Sequence, residues 1–200
     1  MAARKVFIAL GSPRKEANST ILAEMAAEGA REAGADVESF YLHGMDIKLC
    51  DACDACKAKN SRGCIIKDDM QILYPKLREA DALIIASPVY WLTFSSQTKV
   101  FLDRWYGLWK GGEASFEGTP FRDKQIGIIL TGGGRDPWES GAVNAIRTFQ
   151  DTFAYLGSPP IRTIYGRASG AGEVRGDEEL MGRAYRMGRR LGGVWPRTGG

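Results

Sequence analysis

The stretch KVFIALGSPRKEANST (residues 5–20) decides the fold. It opens with a short apolar run, turns tightly at Gly11, and continues through polar residues into a helical pattern. An apolar run without polar alternation suits a strand buried on both faces of a parallel sheet. ALIIAS (82–87) and QIGIILT (125–131) repeat that signal. ADVESFYL (35–42) alternates instead, with Val37, Phe40 and Leu42 spaced by polar residues, as an edge strand does, and PPIRTIYG (159–166) is a fifth run. Amphipathic stretches separate them. Residues 19–33 carry Ile21, Leu22, Met25 and Ala26, and residues 68–79 carry Met70, Leu73 and Leu77 with Pro75 among them. Residues 96–109 carry Val100, Phe101, Trp105 and Trp109, residues 138–156 carry Val143, Ile146, Phe149 and Phe153, and residues 177–191 carry Leu180, Ala184, Met187 and Leu191. Strand and helix alternating five times predicts an α/β doubly wound parallel sheet. No repeat, low-complexity tract or linker divides the chain, so residues 1–200 read as a single domain with a fraying tail, GGVWPRTGG.

An apolar fraction of 44% and a charged fraction of 26% are ordinary for a soluble domain. A net charge of +3 does not point to nucleic acid, and no nucleic-acid-binding signature occurs. The apolar run Val6–Leu10 is too short for a signal peptide, and no segment approaches the ~18 apolar residues of a membrane span. The expectation is a cytoplasmic protein without membrane or nucleic-acid partners. In that compartment clustered cysteines serve metal or redox chemistry rather than disulfides.

Ligands of open α/β sheets bind beyond the carboxyl ends of the strands, so the turns there are informative. After the first strand, GSPRKEANST offers Ser12, Arg14, Asn18, Ser19 and Thr20 just before a helix, whose free N–H groups suit a phosphate. The same residue types are also ordinary N-caps. Neither G-x-G-x-x-G nor a P-loop is present. After the third strand, Ser87-Pro88 reads as a stop, with Val89, Tyr90 and Trp91 in a turn where a flat ring could lie. After the fourth, Thr131, Gly132, Gly133 and Gly134 let backbone approach a ligand, and Asp136-Pro137-Trp138-Glu139 reads as the capped start of a helix. Together these turns suit a phosphorylated flat cofactor.

The thiols are concentrated: Cys50, Cys53, Cys56 and Cys64 lie in CDACDACKAKNSRGC, spaced C-x2-C-x2-C-x7-C. Three close cysteines with a fourth downstream suit a 4Fe–4S cluster. Zinc, which usually uses two separated knuckles, and thiols that bind nothing stay as alternatives, whereas a redox dithiol would not employ all four. Ala52, Ala55 and Ala58 leave room, Gly63 allows a sharp turn before Cys64, and Asp68 or Asp69 reads as a helix cap. His43, the only histidine, sits beside Gly44, so neither a Ser-His-Asp triad nor a multi-His metal site is supported.

GSPRKEANST, KDDM (67–70), ASPVYW (86–91), KVFLDR (99–104) and TGGG (131–134) make the chain resemble the flavodoxin-like NAD(P)H-dependent FMN reductase superfamily, and its cysteine segment makes it most similar to the iron–sulfur flavoproteins within it. The resemblance implies a five-stranded sheet in the order 2-1-3-4-5, with a cluster-binding loop inserted after strand two at about 44–66. It implies FMN, the phosphate held by Ser12, Arg14, Asn18, Ser19 and Thr20. The isoalloxazine would lie near Pro88, Val89, Tyr90 and Trp91 with Thr131, Gly132, Gly133 and Gly134 opposite. It implies a 4Fe–4S cluster on Cys50, Cys53, Cys56 and Cys64, and no catalytic side chain as such, the chemistry being the cofactors'. It further implies a ferredoxin-like donor, a small acceptor such as a quinone, oxygen or peroxide, and a homodimer or homotetramer. The alternative is a cluster-free reductase that takes electrons from NAD(P)H. The apolar excess of Phe101–Trp109 suggests a subunit interface, and Arg183, Arg186, Arg189 and Arg190 read as a solvated basic face of the last helix.

Overall fold

The computed structural model describes residues 2–109 and 119–193. The expected fraying of the tail falls mostly on residues 194–200, which lie outside the described residues. In chain order the elements are β1 (Lys5–Leu10), α1 (Asn18–Glu32), β2 (Asp36–Tyr41), α2 (Met70–Glu79), β3 (Ala82–Tyr90), β4 (Thr93–Phe94), α3 (Ser96–Asp103), β5 (Gln125–Gly132), α4 (Ala142–Tyr155), β6 (Arg162–Arg167) and α5 (Glu178–Gly192). The parallel strands run β2-β1-β3-β5-β6, which is the expected order once β4 is set aside. That short strand pairs antiparallel with the end of β3, Val89 opposite Phe94 and Tyr90 opposite Thr93.

The continuously apolar strands feed two cores. Phe7, Leu83, Ile85, Ile128 and Leu130 meet Leu73 of α2, Phe101 of α3 and Phe149 and Phe153 of α4 on one face. Val6, Ile8, Ile84 and Ile129 meet Leu22 of α1 and Leu180 and Leu191 of α5 on the other. Edge strand β2 divides its residues likewise: Phe40 packs into the first core and Val37 into the second. Each fully buried Leu, Ile or Phe contributes roughly 1.5–3 kcal/mol, and burial on both faces explains why these runs carry no polar alternation.

Helices α1 and α5 approach through glycines. A Cβ at Gly188 would overlap the Ala26 carbonyl, and one at Gly192 would come within 2.7 Å of the Ala30 carbonyl oxygen.

Several local expectations are corrected by tertiary contacts. Pro88 does not end β3, which continues to Tyr90. The β1 ladder stops at Ala86, so Pro88 owes no N–H on that side, while on the other it is in register with Thr131 of β5. The helix expected over 96–109 breaks at Arg104 into a 3₁₀ turn over Arg104–Leu108. Phe101, Trp105 and Leu108 are buried, so the core absorbs most of the apolar excess read as an interface, leaving Tyr106 exposed. Asp136 accepts from the N–H groups of Trp138 and Glu139 at 2.8 and 2.9 Å but caps only a turn. Helix α4 starts later, after Gly141 at φ +73°. Leu92 lies against that glycine, where a Cβ would come within 2.5 Å of its side chain. The four arginines of the basic face on α5 are exposed, as expected.

Candidate functional site

Three turns converge at the carboxyl edge of the sheet. The Gly11 N–H donates to the Ala86 carbonyl at 2.8 Å, joining the turn after β1 to the end of β3. The buried Ser95 hydroxyl donates to the Gly11 carbonyl at 2.6 Å, and its own backbone N–H donates to Ser87 Oγ at 3.0 Å. Ser95 also caps α3 by accepting from the Thr98 N–H. Gly132 brings the glycine turn to the hairpin, since a Cβ there would touch Val89 Cβ at 3.4 Å. Ser87 was read from sequence only as part of a strand stop, and Ser95 and Thr98 were not singled out, because short polar residues near a helix start carry no distinguishing pattern.

The start of α1 is unusual. Its N-cap residue is Ala17, with no side-chain cap, so the polar residues are not serving as caps there. Ser19 and Thr20 are buried, and their hydroxyl oxygens have no hydrogen-bond partner. Buried polar atoms without partners are rare, and here they stand in the first turn of a helix, where N–H groups and the dipole favour an anion. Ser12 is buried and its Oγ accepts from the Arg14 N–H at 3.0 Å, while Arg14 itself is exposed. Asn18 is turned away from this set: its amide donates to the Gly170 carbonyl at 2.7 Å and accepts from the Val174 N–H at 3.3 Å.

The aromatic segment is a tight hairpin rather than an open turn. Pro88, Val89 and Tyr90 belong to β3, while Trp91 and Leu92 form the turn at φ +48° and +66°. Non-glycine residues in this conformation are strained by roughly 1–2 kcal/mol each. Trp91 is 98% exposed. In the glycine turn Thr131 is buried. Gly134 is needed by the fold itself, because a Cβ there would come within 2.5 Å of the Ser140 nitrogen, and its carbonyl accepts from the Tyr165 hydroxyl at 2.7 Å.

The cysteine segment rises from a neck. Asp46 N–H donates to Asp69 Oδ2 at 2.8 Å, Asp69 N–H to the Asp46 carbonyl at 2.9 Å, and Lys48 N–H to Asp68 Oδ2 at 2.9 Å. Asp68 also accepts from the Met70 N–H at 3.1 Å, so it serves α2 as expected but is shared with the loop and with Arg104. Burial would raise the Asp68 carboxyl, yet the Arg104 guanidinium and the Lys48 and Met70 N–H groups hold it below the usual carboxylate range. Lys57 fastens the loop tip: its ammonium donates to the Tyr106 and Trp109 carbonyls and lies 3.7 Å from the Tyr106 ring centre.

All four cysteines are free thiols and line one concavity, together with Arg104, Tyr106 and Gly107. Gly63, at φ +117°, makes the expected turn before Cys64, and Ala52 and Asp54 are also left-handed. Burial pushes the Cys56 thiol up, with the Lys57 charge opposing it. Among the described residues no three Cys, His, Asp or Glu side chains converge to metal-binding distance. The donor set nevertheless suits a thiolate-ligated cluster: four thiols around one concavity, with no competing histidine among its lining residues. His43 lies elsewhere, its Nδ1 3.2 Å from the Gln97 amide.

Comparison with known proteins agrees with this frame. The family model described as NADPH-dependent FMN reductase matches residues 4–171. A protein of Archaeoglobus fulgidus named iron-sulfur flavoprotein is 30% identical over 91% of this chain and 76% of its own. One of Methanocaldococcus jannaschii bearing the same description is 30% identical over 86% of each. The structure of an NAD(P)H:quinone oxidoreductase from Methanothermobacter marburgensis shares the fold, with a TM-score of 0.75 at 20% identity over 98% of this chain and 99% of that one. No helix among the described residues is long and apolar enough to cross a membrane. The α/β order, the converging turns and these matches make the chain a flavin-dependent oxidoreductase that belongs to the NADPH-dependent FMN reductase family and, within it, to the iron–sulfur flavoproteins.

Proposed function

We propose that this chain transfers electrons from a ferredoxin-like carrier to a small acceptor such as a quinone, oxygen or peroxide, using FMN and a 4Fe–4S cluster as its bound groups. When bound, the cluster supplies one-electron chemistry and FMN one- or two-electron chemistry. The observation that carries the reading is the gathering of every cysteine of the chain around one concavity beside the flavodoxin-like sheet.

Each part of the chain then has a task. Ser12, Arg14, Ser19, Thr20 and the N–H groups of α1 hold the phosphate, giving two buried hydroxyls the partner they lack. Asn18 supports that turn indirectly, by holding the 170–174 loop against it. Pro88, Val89, Tyr90 and Trp91 form one wall for the ring, and Thr131, Gly132, Gly133 and Gly134 the other. Cys50, Cys53, Cys56 and Cys64 hold the cluster. Ordering of the loop around its ligand brings the thiols together, since metal binding and local folding are coupled. Exposed Trp91, Leu92 and Trp138 at the same edge favour a homodimer or homotetramer that covers them.

Iron, sulfide, zinc and FMN assays on anaerobically purified protein test the reading. Four irons and four sulfides per FMN are expected, and Cys64→Ala loses iron while keeping FMN. FMN without iron or sulfide overturns it. The second reading, a cluster-free NAD(P)H-dependent FMN or quinone reductase, is favoured by the unconverged thiols and by the NADPH in the family's description. Rapid flavin reduction by NADPH alone supports it.

A further inference from the structure

Of the four thiols, only Cys64 is built into the body of the protein. It packs against the core and lies on the 3₁₀ turn that follows α3. Gly107 makes that approach possible, since a Cβ there would come within 3.1 Å of Cys64 Cβ and 3.2 Å of the Tyr74 hydroxyl. The Tyr74 hydroxyl in turn donates to the Arg104 carbonyl at 3.0 Å.

Arg104 is only 1% exposed. Its Nη1 donates to Asp68 and, at 2.8 Å, to the Lys48 carbonyl. Its Nη2 donates to Asp68 Oδ1 at 3.2 Å and to Cys64 Sγ at 3.4 Å. Burying a guanidinium and a carboxylate carries a large desolvation cost, and an apolar pair of similar volume would often stabilise the fold as well or better. Packing alone is therefore a weak reason for this pair. The planar fork answers another need: Asp68 fixes the guanidinium while one N–H remains aimed at a sulfur.

We propose that Arg104 is a positioning residue for the metal centre: held by Asp68, its Nη2 N–H orients the Cys64 sulfur and withdraws charge from it, making Cys64 the preset ligand and raising the centre's reduction potential. The role rests on the four-cysteine reading given above. Hydrogen bonds to ligand sulfurs are among the factors that set such potentials, because they stabilise the reduced, more negative form. Cys50 and Cys53 are exposed and Cys56 is half-buried, and among the described residues the hydrogen bond from a buried cation to a cysteine sulfur is the one to Cys64. The influence thus falls on one corner of the centre.

Arg104→Lys tests this in anaerobically purified full-length protein. Lysine retains a charge for Asp68 but lacks the planar fork that reaches Asp68, the Lys48 carbonyl and Cys64 together. Iron per FMN and the midpoint potential, from a mediated titration followed by visible absorbance and electron paramagnetic resonance, are the readouts. The expected result is retained FMN, iron content reduced by half or more at limiting iron, and a potential more negative by about 59 mV, a tenfold change for a one-electron couple. Asp68→Glu, which keeps the charge but displaces the guanidinium, should shift the potential in the same direction by less. It carries the measurement if Arg104→Lys does not accumulate as folded protein. An iron-loaded wild type with variants of unchanged iron content and potential overturns the role of Arg104 alone. An iron- and sulfide-free wild type overturns the four-cysteine reading and this role with it.

Discussion

The Ser95 hydroxyl donates to the Gly11 carbonyl across 2.6 Å, tying the start of α3 to the turn before α1. Both residues are buried, and the turn proposed to face the phosphate is held in place by a helix cap from another part of the chain.

Ser95→Ala removes the cap of α3 and the bond to Gly11 together. Stability should fall by about 1–3 kcal/mol, read from denaturant midpoints, and FMN should dissociate more readily at equal protein concentration. A loss of stability with unchanged FMN affinity would show that the tie serves the fold alone.

Gly188→Ala places a methyl group into the Ala26 carbonyl. Helices α1 and α5 must then separate, at a cost of about 1–3 kcal/mol by overpacking. Thermal unfolding should show a lower midpoint, whereas Gly176→Ala, where no atom lies within 4 Å, should change little.

Trp91 is nearly fully exposed and left-handed. Trp91→Asn relieves strain in a turn that asparagine tolerates and removes no buried contact, so stability should hold or rise by up to ~1 kcal/mol. FMN affinity, followed by recovery of flavin fluorescence, should fall if the indole walls the ring.

Lys124 is buried and donates to the Arg78 and Ala80 carbonyls at the end of α2. Burial pushes its pKa down from 10.5 to about 8, with the Asp81 charge opposing the shift. Between those two values the unfolded chain binds more protons than the native one, so this lysine makes stability rise with pH from about 8 to 10.5, by up to ~1.4 kcal/mol per pH unit. Below about 8 both states are protonated and the contribution is flat. Urea midpoints at pH 7.5 and pH 10 should therefore diverge between wild type and Lys124→Met, the wild type gaining relative to the variant at the higher pH.

The apolar runs of β1, β3 and β5 were legible because each strand is buried on both faces, leaving no polar residue to blur the pattern. The ends of elements were less so. Pro88 read as a stop because a proline lacks a donor, but the strand on one side had already ended. Asp136 carried a true cap signal, but its bonds close only a turn, and left-handed Gly141 separates that turn from the helix. Asn18 had the chemistry of a phosphate ligand, and a loop some 150 residues later in the chain engaged it, as the bonds to Gly170 and Val174 show.

The chain's own pattern determined the doubly wound sheet, its strand-end turns and the concentration of every thiol in one segment, because periodicity and spacing are local properties. Tertiary structure alone decided that Ser19 and Thr20 are buried without partners, that Ser95 reaches Gly11, and that Arg104 stands between Asp68 and Cys64. Each of these depends on groups far apart in the chain meeting away from water. A short polar residue or an arginine has the same sequence signature in solvent as in the interior, and only burial gives its hydrogen bonds their consequence.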